Sequence, residues 1–162
     1  MFNSRSKANF WMFFSALLLA SVLTFSSAMA QIKTVKPLYE RLGGYDAIAA
    51  VVGDFVGRLA TDPQLAMFFS GHSTDSKMRI RQHVVDQLCQ ATGGPCVYQG
   101  RDMKTSHAGL GITEEQWNIS VNHLVATLDK FKVPQMEKDE LIGAVAGFKK
   151  DIVEGQMTMK SK

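Results

Sequence analysis

Cysteine is nearly missing from this chain of 162 residues, which has only Cys89 and Cys96. A pair so spaced excludes C-x-x-C redox chemistry and leaves two alternatives, a disulfide between them or two reduced thiols packed as small core residues. No apolar run reaches the roughly 20 residues that a membrane-spanning helix needs; the stretch from Phe10 to Phe25 is shorter and is interrupted by Ser and Thr. A surplus of one charge is lacking as well. The whole chain carries a formal +3, but Arg5 and Lys7 are two of its 18 basic residues and precede position 31, leaving 16 against 15 acidic ones. The resulting +1 on residues 31–162 gives no hint of nucleic acid as a partner. Internal repeats, linkers and low-complexity stretches are absent. So is any flavin or nicotinamide motif, and an electron donor, if one is needed, must be a separate reductase.

What is present begins with a targeting pattern. Arg5 and Lys7 supply a positive start, the apolar run follows, and Ala28-Met29-Ala30 forms an A-x-A cleavage site before Gln31. Residues 1–30 therefore read as a signal peptide, with export to a bacterial periplasm expected and an uncleaved anchor as the alternative. No cysteine follows the cleavage site, so a lipid anchor is not indicated, and after cleavage no stable membrane attachment is expected. Residues 31–162 suit one domain with one modest core.

That domain reads as all-α. Pro37 to Leu42 makes one or two turns ending at Gly43-Gly44. Tyr45 to about Ala60 follows, with Ile48, Val51, Val52, Phe55 and Leu59 at helical spacing. Asp62-Pro63 breaks it, and Leu65 to Phe69 has room for only a short turn. After the loop Ser70–Asp75, a helix from about Ser76 to Ala91 puts Ile80, His83, Val84, Gln87 and Leu88 on one face. Gly93-Gly94-Pro95 ends it sharply. Thr113 to Gln116 forms a capping box ahead of Trp117, Val121, Leu124 and Leu128. Leu141, Val145, Phe148 and Ile152 mark one last helix, and residues 156–162 read as a frayed polar tail.

The stretch Tyr98 to Ile112 carries the chemistry. Met103 and His107 are four apart, on one face of a single turn, while Leu110 and Ile112 extend the apolar surface beyond the histidine. Gly109 and Gly111 stop the turn early. From the residues alone, this is either a nitrogen ligand set beside an apolar slot that takes a flat macrocycle, or a surface loop with an incidental histidine.

The segment resembles the proximal loop of the group I truncated haemoglobins, matching Tyr-x-Gly-Arg-x-Met-x-x-x-His at Tyr98, Gly100, Arg101, Met103 and His107. Gly43-Gly44 and Gly93-Gly94 agree with the same family, and the resemblance runs from about Leu38 to Ile152. It implies a two-on-two helical sandwich around haem, with His107 as the proximal iron ligand. Phe69, Trp117 and Leu124 would pack on the macrocycle, the face of Ile80, His83 and Val84 would form the distal wall beside Phe55, and Tyr98, Met103 and Ile112 would line the proximal side. Arg101 and Lys104 offer cations to the propionates. Without a C-x-x-C-H motif the cofactor is expected to be non-covalent haem b.

The resemblance also implies reversible binding of dioxygen, nitric oxide or carbon monoxide. Many relatives place a tyrosine and a glutamine as hydrogen-bond donors to the gas where this chain has Val56 and Val84. That departure weakens the case for tight oxygen storage, and with it the case for nitric oxide dioxygenation assisted by an external reductase. His83 matches a position that supplies a second iron ligand in some relatives. A six-coordinate bis-histidine protein for electron transfer or sensing is thus the alternative, and a haem-free helical interaction module is a third. His72 and His123 are expected at the surface or satisfied by neighbours.

Overall fold

The computed structural model describes residues 36–154. The expected signal peptide at 1–30 and the polar tail at 156–162 lie outside the described residues. The described residues form seven α-helices and one 3-10 turn in chain order: α1 Leu38–Arg41, α2 Gly44–Thr61, the 3-10 turn Ala66–Phe69, α3 Thr74–Ala91, α4 Met103–His107, α5 Glu114–Lys130, α6 Gln135–Ala146 and α7 Lys149–Ile152. No strand occurs among the described residues, and none of their helices is long and apolar enough to cross a membrane.

α2 and α5 bury much of the stripe their sequences present, whereas α3 turns Val85 to the core beside Leu88 and leaves Ile80, His83, Val84 and Gln87 of its expected face partly or fully exposed. α2 contributes Ile48, Val51 and Val52, α3 Val85 and Leu88, α5 Leu124 and Leu128, and α6 Leu141; with Leu38 these form one core cluster. Val52, Val85 and Leu128 retain no exposure. Each such aliphatic side chain contributes about 1.5–3 kcal/mol from burial alone. α2 packs against both α3 and α5, α6 packs against α5, and α1 bridges α2 and α6. Arg41 of α1 fastens that bridge by donating to Glu137 at 2.8 Å and to Glu140.

Helix limits follow local chemistry. Thr113 and Gln116 exchange both bonds of the expected capping box, at 3.2 and 3.0 Å. α3 begins at Thr74, two residues before the sequence suggested, because the Ser73 hydroxyl oxygen accepts from Ser76 N–H and caps it. The single last helix expected from the stripe is in fact two. At Gly147 and Phe148 the amides reach back three residues, to the carbonyls of Ala144 and Val145, in place of four. A glycine there lacks the propensity to hold the α-helical ladder.

Between α3 and α4 the chain turns back on itself, and the two cysteines are joined in a disulfide. Gly94 has no substitute at this turn: a Cβ on it would stand 2.4 Å from the Tyr39 ring, 2.7 Å from Cys89 Sγ and 2.8 Å from the Cys89 carbonyl oxygen. Tyr39 N–H donates to Thr92 O at 2.8 Å in the same corner, so α1, the end of α3 and the following segment converge on one small residue.

Candidate functional site

α4 owes its existence to a cap. Asp102 accepts from both the backbone N–H and the hydroxyl of Thr105, each at 2.8 Å. Those donors hold the Asp102 carboxyl below the usual carboxylate range. The helix lasts five residues, enough to set Met103 and His107 one above the other. Tyr98 and Ser106 hydroxyls both donate to the Arg101 carbonyl, at 2.7 and 3.1 Å, bracing the approach to this turn.

His107 is half-buried, and its Nδ1 lies 2.8 Å from the Met103 carbonyl oxygen. A carbonyl oxygen only accepts, so Nδ1 carries the hydrogen and Nε2 of the neutral ring keeps its lone pair. This is the arrangement in which a histidine serves as a metal ligand, with the second nitrogen fixing ring orientation and raising ligand basicity. Among the described residues no three His, Cys, Asp or Glu side chains cluster around a common point. A metal held through His107 would take its remaining ligands from a macrocycle.

The space beside His107 fits such a group. A cavity of about 630 Å³ is walled by α2, the 3-10 turn, α3, the segment 98–112, α5, α6 and α7, and its lining is dominated by aliphatic and aromatic side chains. That volume falls within the range of small-molecule and cofactor sites. Of the residues singled out in the sequence, Phe55, Phe69, Ile80, His83, Val84, Tyr98, Arg101, Met103, His107, Ile112, Trp117 and Leu124 all line it. Lys104 does not. One residue along from Met103, it is turned about 100° away around the helix axis and is exposed, so only Arg101 of the two proposed cations borders the cavity.

His83 is exposed on α3 and meets the Tyr98 ring edge-to-face, with centroids 6.0 Å apart and an interplanar angle of 77°. His72, expected at the surface, is exposed but also borders the cavity. His123 is satisfied, its Nε2 lying 2.8 Å from Asp62 Oδ2, and that contact leads the causes that lower the Asp62 carboxyl below its ordinary value.

Several lining residues went unnamed as site residues. Val145, Phe148 and Ile152 were legible as a helix stripe, which reads the same whether it faces a core or a cofactor. Leu59 is of the same kind. Ser106 and Ser120 carried no signal, and Gln116 was legible only as the capping-box partner of Thr113, since a polar residue on a helix gives no mark of bordering a cavity.

Comparison with known proteins gives concordant results. Residues 37–154 match the family described as bacterial-like globin. The chain is 33% identical over 130 residues to a group 1 truncated hemoglobin of Mycolicibacterium paratuberculosis, covering 79% of this chain and 93% of that one. It is 40% identical over 87 residues to a group 1 truncated hemoglobin of Nostoc commune, covering 54% of this chain and 71% of the other. Among solved structures, the truncated hemoglobin of Tetrahymena pyriformis in its Fe(III) form superposes with a TM-score of 0.67 at 27% identity, covering 73% of this chain and 98% of that one. The 2/2 hemoglobin of Synechococcus sp. PCC 7002, solved with covalently attached heme, does so with a TM-score of 0.66 at 28% identity, again covering 73% and 98%.

Proposed function

Because the chain belongs to the bacterial-like globin family, with group 1 truncated hemoglobins among its relatives, we propose that it holds haem b in the 630 Å³ cavity through His107 Nε2 and takes up a diatomic gas reversibly. The observation that carries this reading is the 2.8 Å contact between His107 Nδ1 and the Met103 carbonyl, which leaves a single basic nitrogen for iron at an apolar slot. Once bound, the haem supplies a ferrous iron able to take dioxygen, nitric oxide or carbon monoxide.

The chain's own contributions are positioning, exclusion of water and polarity. Phe69, Trp117 and Leu124 offer apolar surface to the macrocycle, and Arg101 at the cavity edge offers a cation to a propionate. On the distal side Val56 and Val84 donate no hydrogen bond, so gas release is fast compared with a site bearing tyrosine and glutamine there. Gln87 and His83 are the donors that α3 brings to the cavity. The apolar wall argues against a firmly held dioxygen, and therefore against nitric oxide dioxygenation with an external reductase as the principal activity.

A second reading rests on His83, which borders the same cavity as His107. If it joins the iron, the protein is six-coordinate, and gas must displace an internal imidazole. Absorption spectra of ferrous wild type, His83→Ala and His107→Gly separate the readings. Five-coordinate wild type, unaltered by His83→Ala and restored in His107→Gly by added imidazole, is the expected result. A low-spin six-coordinate wild type that becomes five-coordinate in His83→Ala establishes the second reading. Failure of the protein to give a Soret band with haem, or an unchanged axial spectrum in His107→Gly, overturns both.

Export belongs to the same proposal. The pattern of residues 1–30 supports it, and so does the Cys89–Cys96 disulfide, since disulfides persist in oxidising compartments. The periplasmic protein should begin at Gln31; recovery of an intact, cytoplasmic chain would refute this.

A further inference from the structure

Immediately after His107 the chain passes through Ala108-Gly109-Leu110-Gly111, a turn with φ of 81° at Gly109 and 66° at Gly111. Neither glycine is there for want of space, since a Cβ on either would meet nothing within 4 Å. Both are needed for backbone conformation, and glycine pays for that freedom by being easy to disorder. A ligand mounted directly before such a turn needs something to hold the turn still.

Glu154 supplies it. One carboxylate oxygen accepts from Gly109 N–H and the other from Gly111 N–H, the latter at 3.0 Å. The backbone completes the clamp: Glu154 N–H donates to the Ile112 carbonyl at 3.0 Å, and Leu110 N–H donates to the His107 carbonyl at 3.1 Å. Around it, α7 packs against α4, and Lys149 of α7 pairs with Glu114 at the start of α5. Two residues beyond the end of α7, Glu154 therefore grips the backbone on the far side of the candidate iron ligand by three hydrogen bonds.

We infer that Glu154 is a positioning residue for His107, fixing the height and tilt of its imidazole over the cavity by clamping the Gly109–Gly111 turn. This deepens the haem reading above and rests on it. Two amide donors converging on one side chain call for a group that only accepts and has two oxygens, which a carboxylate does and a carboxamide does not. Glutamine in its place can satisfy one glycine and must turn its own NH2 toward the other. Ordering the turn before the cofactor arrives spares that cost at binding, so the clamp acts on cofactor retention through preorganisation.

The experiment compares wild type, Glu154→Gln, Glu154→Ala and His107→Gly, with Glu114→Gln as a control that breaks the nearby ion pair without touching the turn. In the haem-free protein, amide exchange at Gly109 and Gly111 by NMR reads the clamp independently of any cofactor. In the haem-loaded protein, transfer of haem to an excess of apomyoglobin and the ferrous iron–imidazole stretch in resonance Raman read its effect on the ligand. Both Glu154 variants should exchange the two glycine amides faster, release haem about tenfold faster and shift or broaden the stretch, while Glu114→Gln stays near wild type. Glu154 variants with an unaltered stretch and haem loss within about twofold of wild type overturn the inference. So does a Glu114→Gln variant that matches them. An unchanged axial spectrum in His107→Gly would instead remove the haem-ligand premise, and the inference with it, whatever the glycine amides report.

Discussion

Replacing Val56 by tyrosine should slow dioxygen release markedly. Val56 is half-buried on α2 and lines the cavity; Phe55 and Leu59 of α2 and Ile80, Val84 and Leu88 of α3 line it too and carry no side-chain donor, while His83 and Gln87 are the polar residues of α3 there. The cavity of about 630 Å³ has room for a phenol at this position. A buried hydrogen bond contributes about 0.5–1.5 kcal/mol between neutral partners and about 1.5–3 kcal/mol when one is charged. Dioxygen polarised by ferrous iron lies between the two, so about 1–2 kcal/mol is expected, which corresponds to roughly a 5- to 30-fold fall in the release rate. The assay is stopped-flow displacement of dioxygen by excess carbon monoxide from the reduced, haem-loaded protein. Val56→Phe fills nearly the same volume without the hydroxyl and isolates its contribution. The reasoning fails if tyrosine leaves the rate within about twofold of wild type, or if phenylalanine slows it as much.

Two further expectations concern stability. Gly94→Ala forces a Cβ to within 2.8 Å of the Cys89 carbonyl as well as onto Tyr39; overpacking of that kind costs about 1–3 kcal/mol, or roughly 4 °C of Tm per kcal/mol for a domain of this size. Gly57→Ala, where a Cβ meets nothing within 4 Å, should be neutral or stabilising, and equal Tm values for the two variants would refute the steric argument. At low pH the relevant group is Asp54, whose carboxyl is held well below the ordinary range by Lys130 first and then Arg58, with the Thr127 hydroxyl also donating to it. A depressed folded-state value means that this stabilisation is complete above the unfolded value of about 3.9 and drains away as pH falls below it. Urea midpoints should therefore decline more steeply below pH ~4 in wild type than in Asp54→Asn, and parallel declines would show that the ion pairs add nothing.

Much of the architecture was legible because its determinants are local. The capping box at Thr113, the halt at Gly93-Gly94 and the apolar stripes of α2, α3 and α5 each follow from neighbours a few residues apart, where hydrogen-bond geometry and helical period leave little choice. The short turn bearing His107 was likewise written into Tyr98 to Gly111, and a spacing of four sufficed to bring the Met103 carbonyl oxygen to the imidazole. That the described residues would be helical is something this sequence determined alone; for His107 it left a ligand and an incidental surface histidine both open, and only the family resemblance chose between them.

Other features depend on residues far apart in the chain, and only the folded structure decided them. A stripe such as Val145, Phe148 and Ile152 specifies that a face is apolar without specifying whether protein or cavity meets it. The sequence left the cysteines as either thiols or a disulfide until the turn at Gly94 brought Cys96 back against α3. It offered Arg101 and Lys104 as equals, but Arg101 precedes the five-residue helix and borders the cavity, while Lys104 on that helix is turned away from it. It marked Glu154 with nothing at all, because a carboxylate becomes a clamp only when packing delivers two amide hydrogens from a distant turn. Hydrogen bonds and burial are set by position in space, and position between remote segments is fixed by the packing of the whole core.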